Sequence, residues 1–281
     1  MPMTQEDIRS HYEEAWKKTS DAAKDDAGLV YSSPIEDAVL YPLYERMIGD
    51  LKIAVNGGRV LDVGSGSGRW IRFFRERYQP ALLMGVDFTR ASVELLKQWC
   101  TSREGMATRF QVADMTQPEL DLGEKFDLIN IANVLFHIPE ADRFARALQN
   151  LRAHLAPGGR VVTTEYLPRA TMRTEWMMVL SRYDFQKAVE AAGMRIIDVK
   201  ASVFFSNDPM GLDGPDAGTR MLFNRVRQGV SNIFDSKLDP NTKQFFVQFL
   251  AEVERACLSF CRERVAEIDM PSQKLVVLGA A

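Results

Sequence analysis

The stretch Val60–Trp70, VLDVGSGSGRW, decides the fold of this 281-residue chain. An apolar run ends here in three glycines at alternating positions, Gly64, Gly66 and Gly68. A strand followed by a turn that lacks side chains allows a ligand to lie against the backbone. A helix after the turn offers free amide groups and the positive end of its dipole. The stretch therefore predicts a strand, a ligand-binding turn and a helix.

The spacing of the glycines favours a ligand with an amino acid tail over a dinucleotide. The dinucleotide fingerprint Gly-x-Gly-x-x-Gly needs a third glycine where this chain has Arg69. Asp62, two residues before the loop, suits an ammonium group, and the loop amides suit a carboxylate. An NAD(P)-dependent oxidoreductase stays open as an alternative, because it shares the glycine loop and an acid after the second strand.

Apolar runs alternate with amphipathic segments from residue 58 to residue 205, which predicts an α/β fold with a doubly wound, mostly parallel sheet. The expected strands are RVLDV, ALLMGVD, TRFQVAD, FDLINIA, GRVVTTE, MRIIDVKASVFF and KLVVLG. Two helices are expected before the first strand, beginning near Thr4 and at Pro34. Between the sixth and seventh strands, the loop SNDPMGLDGPDAG precedes two helices that are broken at LDPNT.

Four segments follow from this pattern: an N-terminal helical lid (1–57), a Rossmann-like core (58–205), a helical cap (206–272) and the last strand of the core sheet (273–281). The sixth strand ends at the edge where open α/β sheets bind ligands, so the cap is expected above the pocket. Its aromatic residues either line an apolar site or form the core of the cap; they are Phe223, Phe234, Phe245, Phe246 and Phe249.

Two further acids indicate an adenosine. Asp87 ends the second strand, where a carboxylate can accept hydrogen bonds from both ribose hydroxyls, and Phe88 beside it can cover the adenine ring. Asp114 ends the third strand, where it either accepts a hydrogen bond from the adenine amino group or caps the next turn.

Five motifs in this order, VLDVGSGSGRW, GVDFT, VADM, FDLINIANVLFHIPE and LRAHLAPGGRVVTTE, resemble those of class I S-adenosylmethionine-dependent methyltransferases. The resemblance covers about residues 58–205 and includes KLVVLG. It implies a seven-stranded sheet with a reversed last strand and S-adenosylmethionine as cofactor. For the methionine end of the cofactor, it implies Asp62 at the ammonium group and Gly64, Ser65, Gly66 and Gly68 along the methionine moiety. For the adenosine, it implies Asp87 at the ribose and Asp114 with Met115 at the adenine. Ala132 and Asn133 would lie beside the sulfonium.

Candidate residues for the methyl acceptor are fewer. Methyl transfer from a sulfonium is a direct displacement, so a general base is optional. His137 is the candidate base, and its alternative role is that of a pocket wall. Glu165 and Tyr166 end the fifth strand at the same edge, where they are candidates to touch the acceptor, although a glutamate at a strand end also commonly caps or pairs with a neighbour. Arg169 and Arg173 are expected on a helix, where they either meet an anionic acceptor or are solvated. Tyr12 and Trp16 form a stripe on the first helix that closes the site or simply packs.

Composition limits the partners. The formal net charge of −3 offers no field that would attract nucleic acid. No apolar run is long enough to cross a membrane, and the three cysteines show no metal-ligand spacing, so we expect a soluble cytoplasmic protein without metal. The expected function is methylation of a small or medium-sized metabolite, with oxygen as the first candidate atom and nitrogen or carbon as alternatives. A homodimer is left open.

Overall fold

The structure is a computed structural model that describes residues 4–22, 34–174, 177–203, 217–270 and 272–281. Its helices are α1 (Gln5–Ala22), α2 (Pro34–Asp50), α3 (Arg69–Arg77), α4 (Arg90–Trp99), α5 (Ala141–His154), α6 (Arg182–Ala191), α7 (Ala217–Asp235) and α8 (Pro240–Arg262). Its strands are β1 (Arg59–Val63), β2 (Leu82–Asp87), β3 (Ala107–Val112), β4 (Phe126–Ile131), β5 (Leu155–Glu165), β6 (Met172–Arg173), β7 (Met178–Val179), β8 (Met194–Ala201) and β9 (Lys274–Ala280). Within these ranges, no helix combines the length and the apolar character that crossing a membrane requires.

Seven strands form one sheet in the order β3-β2-β1-β4-β5-β9-β8. The pairs from β3 to β5 are parallel, and β9 is antiparallel to both of its neighbours. The predicted α/β fold with a reversed last strand is therefore confirmed. The sixth strand of the sheet, β8, ends at Ala201 and not at Phe205, and Phe205 itself lies outside the described residues.

Two layers of helices cover the sheet because successive side chains of a strand point to opposite faces. Leu61, Met84 and Ile129 lie in one apolar cluster with residues of α5 and α6. Val60 and Leu83 lie in the other, with residues of α2, α3 and α4. Because β1 to β5 are parallel, their carboxyl ends meet at one edge of the sheet. The remaining elements lie above this edge.

The N-terminal segment divides between these layers. Helix α2 is part of the covering layer, since its Tyr44 is fully buried and donates a hydrogen bond of 3.0 Å to Oδ1 of Asn130. Helix α1 instead lies against α4 above the carboxyl edge of the sheet. Within the predicted segment 1–57, α1 and α2 thus pack on different parts of the core, and the predicted lid stays a prediction.

The two predicted cap helices are α7 and α8. Helix α8 packs on α2, where Ala251 and Leu258 join Val39 in a small apolar cluster. Arg255 adds a hydrogen bond of 3.0 Å from Nη1 to the carbonyl oxygen of Ala38. Most of the loop SNDPMGLDGPDAG lies outside the described residues.

The helix predicted around Arg169 and Arg173 is wrong. Arg169 lies on an exposed bend, and Met172–Arg173 forms β6, which pairs antiparallel with β7. The side-chain oxygen of Thr171 accepts a hydrogen bond of 2.8 Å from the Ser181 amide across the hairpin. The extended pairing therefore replaces the helix.

Candidate functional site

A cavity of about 970 Å³ lies at the carboxyl ends of the parallel strands. Its walls come from α1, α2, the glycine loop, the ends of β2, β3 and β4, and the cap helices. Its volume is typical of sites for drug-sized ligands, and its position is where open α/β sheets bind them. The described residues contain no group of three or more His, Cys, Asp or Glu side chains that could hold a metal ion.

The glycine loop supplies one wall, through Gly64, Ser65 and Gly66. Gly68 is not among the cavity residues. It precedes α3 with φ of 94°, and a Cβ atom on it would lie 2.4 Å from the Trp99 ring. Conformation and packing thus both require a glycine at this position, and its predicted role beside the methionine moiety stays a prediction.

Asp62 directly precedes this wall in the chain and is buried; like Gly68, it is not among the cavity residues. Its Oδ1 accepts a hydrogen bond of 2.7 Å from Nδ2 of Asn130, whereas Oδ2 has no hydrogen-bond partner among the described residues. Burial is the main cause that raises the pKa of Asp62 to about 7, and the nearby Asp87 adds to the rise. A cation at Oδ2 would compensate this buried charge, so the site suits a ligand that carries an ammonium group.

Asp87 and Phe88 both line the cavity, beside the glycine loop. The Asp87 carboxylate accepts a hydrogen bond of 2.9 Å from the Gly66 amide at Oδ2 and one of 2.9 Å from the Thr89 amide at Oδ1. Burial raises the pKa of Asp87, and these hydrogen bonds oppose the rise. The Oδ2 atom keeps acceptor capacity for a ligand hydroxyl.

Asp114 lines the cavity at the end of β3, but its carboxylate is already engaged. Oδ1 accepts hydrogen bonds of 2.8 Å and 2.6 Å from the amide and the hydroxyl of Thr116. Oδ2 accepts from Arg9 of α1 at 2.9 Å and from Arg143 of α5 at 3.0 Å. A carboxylate offers about four lone-pair sites, and all are used here. Asp114 thus caps its turn and joins three elements.

The end of β4 brings Ala132 and Asn133 to the cavity, next to Met115 from the third strand. Asn133 adopts a positive φ of 59°. Thr164 holds it there, because its Oγ1 accepts a hydrogen bond of 2.7 Å from the Asn133 amide and donates one of 2.8 Å to Asn133 Oδ1. The loop after β4 therefore has a fixed path past the glycine loop.

Helix α1 brings the predicted Tyr12 and Trp16 together with His137. Tyr12 Oη lies 3.3 Å from His137 Nε2, and the two rings meet edge to face at 5.6 Å. The Trp16 ring packs on the glycine loop, 2.9 Å from where a Cβ atom on Gly66 would lie. All three side chains line the cavity, so α1 closes the side of the site that the sheet leaves open.

Two residues predicted for the acceptor lie elsewhere. Glu165 is buried behind the cavity, where Thr163 Oγ1 donates a hydrogen bond of 2.7 Å to its Oε1 and burial raises its pKa to about 8. Its neighbour Tyr166 lines the cavity instead. Arg169 is exposed and is not a cavity residue. Adjacent side chains of an extended segment face opposite sides, so only one of the neighbours Glu165 and Tyr166 can face the cavity.

Several cavity residues had no signal in the sequence. Gln5 begins α1, and the pair Glu36 and Arg69 joins α2 to α3 at the wall. The cap contributes residues that alternate with its aromatic ones, namely Val226, Val230, Ser231, Leu250, Val253 and Glu254. The predicted Phe245, Phe246 and Phe249 are not cavity residues, and the side chains of Phe223 and Phe234 lie outside the described part of the chain.

The seven-stranded sheet with the reversed β9 and the glycine loop after β1 has the class I methyltransferase fold. Residues 60–159, a little over a third of the chain, match the family model described as a methyltransferase domain. Fold and sequence match are therefore both similar to those of S-adenosylmethionine-dependent methyltransferases.

Two curated proteins are similar to part of this chain. It is 30% identical to the demethylmenaquinone methyltransferase of Thermus thermophilus over 125 residues, 44% of this chain and 54% of that protein. It is 32% identical to the erythromycin 3''-O-methyltransferase of Saccharopolyspora erythraea over 114 residues, 40% of this chain and 36% of that protein. The chain thus spans about half, or less, of the length of these curated relatives.

A solved structure shares the whole fold. The [4+2]-cyclase SpnF superposes with a TM-score of 0.56 over 99% of this chain and 96% of its own, at 16% sequence identity. At that identity the similarity establishes the fold alone. A fold shared with a cyclase does not by itself fix the reaction, which has to be argued from the site.

Proposed function

We propose that this chain is an S-adenosylmethionine-dependent methyltransferase that acts on a small or medium-sized metabolite at oxygen. The observation that carries the proposal is the buried Asp62, whose Oδ2 has no hydrogen-bond partner among the described residues. The ammonium group of the cofactor supplies the missing cation. The match of residues 60–159 to a methyltransferase domain supports the same cofactor.

The cofactor supplies an electrophilic methyl group on a sulfonium. The residues of the chain position it: Asp62 and the loop amides hold the amino acid end, and Asp87 holds the ribose. Helix α1, through Trp16 and Tyr12, excludes water from the glycine loop. This arrangement favours direct in-line displacement, which depends on orientation and on a dry site more than on acid or base groups.

His137 is the proposed general base for a hydroxyl acceptor, and Tyr12 is its positioning residue. The 3.3 Å separation between Tyr12 Oη and His137 Nε2 orients the imidazole ring toward the cavity. In the transfer of a methyl group to an acceptor oxygen, His137 would accept the hydroxyl proton. An amine or carbon acceptor remains the alternative, because a neutral amine reacts without a base.

The walls of the cap favour an acceptor with an apolar body. Val226, Val230, Leu250 and Val253 face the cavity from α7 and α8. The volume of about 970 Å³ has to hold the cofactor together with this acceptor. The proposal also includes a small-molecule acceptor, no nucleic acid partner and a cytoplasmic location. A homodimer is compatible with it.

Isothermal titration with S-adenosylhomocysteine and with NAD⁺ tests the cofactor. We expect wild type to bind S-adenosylhomocysteine and not NAD⁺, and Asp62→Asn to bind it about tenfold or more weakly because a charge-assisted hydrogen bond is lost. The exposed Glu76→Gln is the matched control and should bind as wild type does. Binding of NAD⁺ alone would overturn the proposal and favour an oxidoreductase.

Transfer of a labelled methyl group from S-adenosylmethionine to hydroxylated apolar metabolites tests the reaction. His137→Gln should reduce the rate of transfer by about a hundredfold or more and leave the affinity for S-adenosylhomocysteine unchanged. A variant that retains the wild-type rate and pH profile would show that His137 is only a wall. Product analysis by mass spectrometry identifies the methylated atom.

A further inference from the structure

The adenine end of the cavity lacks the carboxylate acceptor that the sequence predicts. On the proposed function, the methionine moiety lies over the loop after β1 and the ribose at the end of β2. The adenine then extends toward the next strand in the sheet, β3, which ends at Val112 and is followed by Asp114 and Met115. The Asp114 carboxylate is occupied there by Thr116, Arg9 and Arg143.

Arg9 fixes the position of α1 at this end. Its guanidinium binds Asp114 and lies over the Phe88 ring, 5.6 Å from the ring centre. The backbone amide of Gln5 donates a hydrogen bond of 3.3 Å to Oε1 of Glu140, the residue that precedes α5. Hydrogen bonds therefore fix α1 to the core at two points, from Arg9 to Asp114 and from Gln5 to Glu140.

Gln5 precedes Arg9 by one helical turn, so both side chains lie on the same face of α1. The Gln5 side chain is 6% exposed and lines the cavity together with Met115 and Thr116. Its Oε1 is buried and has no hydrogen-bond partner among the described residues. Leaving a buried acceptor unpaired is costly, so this oxygen points to a ligand that brings a donor.

We propose that the carboxamide of Gln5 recognises the adenine of the cofactor. Its Oε1 accepts a hydrogen bond from the exocyclic amino group, and its Nε2 can donate to a ring nitrogen, which is the bidentate pairing that glutamine makes with adenine in nucleic acids. This proposal rests on the proposed function, because it needs an adenosine in the cavity. It makes α1 a part of the cofactor site as well as its cover.

Asp114 has a different role in this arrangement. It is a positioning residue that holds α1 through Arg9, and thereby places Gln5 over the adenine. The predicted hydrogen bond from the adenine amino group to Asp114 is replaced by one to Gln5. Only the Gln5 carboxamide thus contacts the ligand, and the Asp114 carboxylate acts on it indirectly, through the position of α1.

Isothermal titration with two ligands tests this assignment. The ligands are S-adenosylhomocysteine and its 6-deamino analogue, in which hydrogen replaces the exocyclic amino group. We expect wild type to prefer S-adenosylhomocysteine by about tenfold, the usual effect of one buried hydrogen bond. Gln5→Met, which keeps the length of the side chain, should bind both ligands equally. Comparing two ligands on one protein cancels any loss of folded protein in the variant.

The control is Gln98→Met, which changes an exposed glutamine on α4 outside the cavity and should keep the tenfold preference. A Gln5→Met variant that keeps the preference, or a wild type without one, would overturn the role of Gln5 while the proposed function stands. If wild type binds neither ligand, the proposed function fails and this inference with it.

Discussion

Single residues in this site are placed at a cost to stability. Asp62 is fully buried, one of its oxygens has no hydrogen-bond partner in the part of the chain that the structure describes, and burial raises its pKa to about 7. Burying a charge without a partner is unfavourable, and such positions persist where binding or catalysis needs them. The same carboxylate that suits the ammonium group of a ligand therefore weakens the ligand-free protein.

Asp62→Asn should remove this cost. Because the folded protein holds the Asp62 proton up to about pH 7 and the unfolded chain releases it near 3.8, the free energy of unfolding falls as pH rises between these values. The fall is at most about 1.4 kcal/mol per pH unit from this group. Urea denaturation should show that the variant gains stability relative to wild type from pH 4 to pH 7.

Glu76→Gln, an exposed carboxyl on α3, serves as the control and should follow the pH dependence of wild type. A constant difference between Asp62→Asn and wild type at all pH values would show that Asp62 is ionised in the folded protein throughout. The same variant loses affinity for S-adenosylhomocysteine, so stability and binding should change in opposite directions.

At the scale of elements, the junction of the glycine loop with α3 depends on two independent restraints at Gly68. Its φ of 94° is strained for any residue with a Cβ atom, and such an atom would lie 2.4 Å from Trp99 and 2.6 Å from Leu96 of α4. Helix α4 thus packs directly against the start of α3. The glycine is needed by the contact between two helices, beyond any ligand.

Gly68→Ala separates these restraints when it is compared with Gly123→Ala. Gly123 has a similar φ of 70° but nothing within 4 Å of the added Cβ atom. Both variants should lose about 1 kcal/mol from backbone strain, and Gly68→Ala should lose about 1–3 kcal/mol more from overpacking. Chemical denaturation measures both. Equal losses would mean that Trp99 and Leu96 move aside without cost.

For the whole molecule, α2 connects the cap to the sheet. Its own residues pack on the core, α8 packs on it, and Arg69 at the start of α3 binds it through buried ion pairs. Arg69 Nε donates a hydrogen bond of 2.6 Å to Asp37, and Nη1 lies 3.3 Å from Glu36. Burial raises the pKa of Asp37, and the Arg69 guanidinium opposes that rise.

Arg69→Met should therefore be strongly destabilising, by about 3 kcal/mol or more at pH 8, because two carboxylates lose their cation. The loss should shrink as the pH falls, because burial raises the pKa of Asp37 and its protonation removes one of the unpaired charges. Arg77→Met is the matched control, since Arg77 joins the same two helices through an exposed pair with Glu45 at 3.0 Å. It should cost less than about 1 kcal/mol in chemical denaturation. Equal losses would rule out a special role for the buried pair.

The sequence by itself determined the sheet, its reversed strand and the position of the cofactor loop. The sheet and the loop follow from local periodicity and from glycine, proline and acid positions, which act within a few residues of the chain. The reversed last strand is implied by the resemblance to class I methyltransferases and not by periodicity. The sequence also identified Asp62, Asp87 and His137 as residues near one edge, because parallel strands end there together.

Only the tertiary structure decided what the acids and the helices do at that edge. Asp114 bonds to Arg9 and Arg143, which are 105 and 29 residues away in the chain. The place of Gln5 in the cavity depends on that contact, and no local pattern encodes it. Likewise, Glu165 faces away from the cavity and Tyr166 faces it, because the pairing of β5 sets which side chains point inward. Contacts between distant segments decide these roles, and the physical reason is that burial and hydrogen-bond partners are properties of the folded chain.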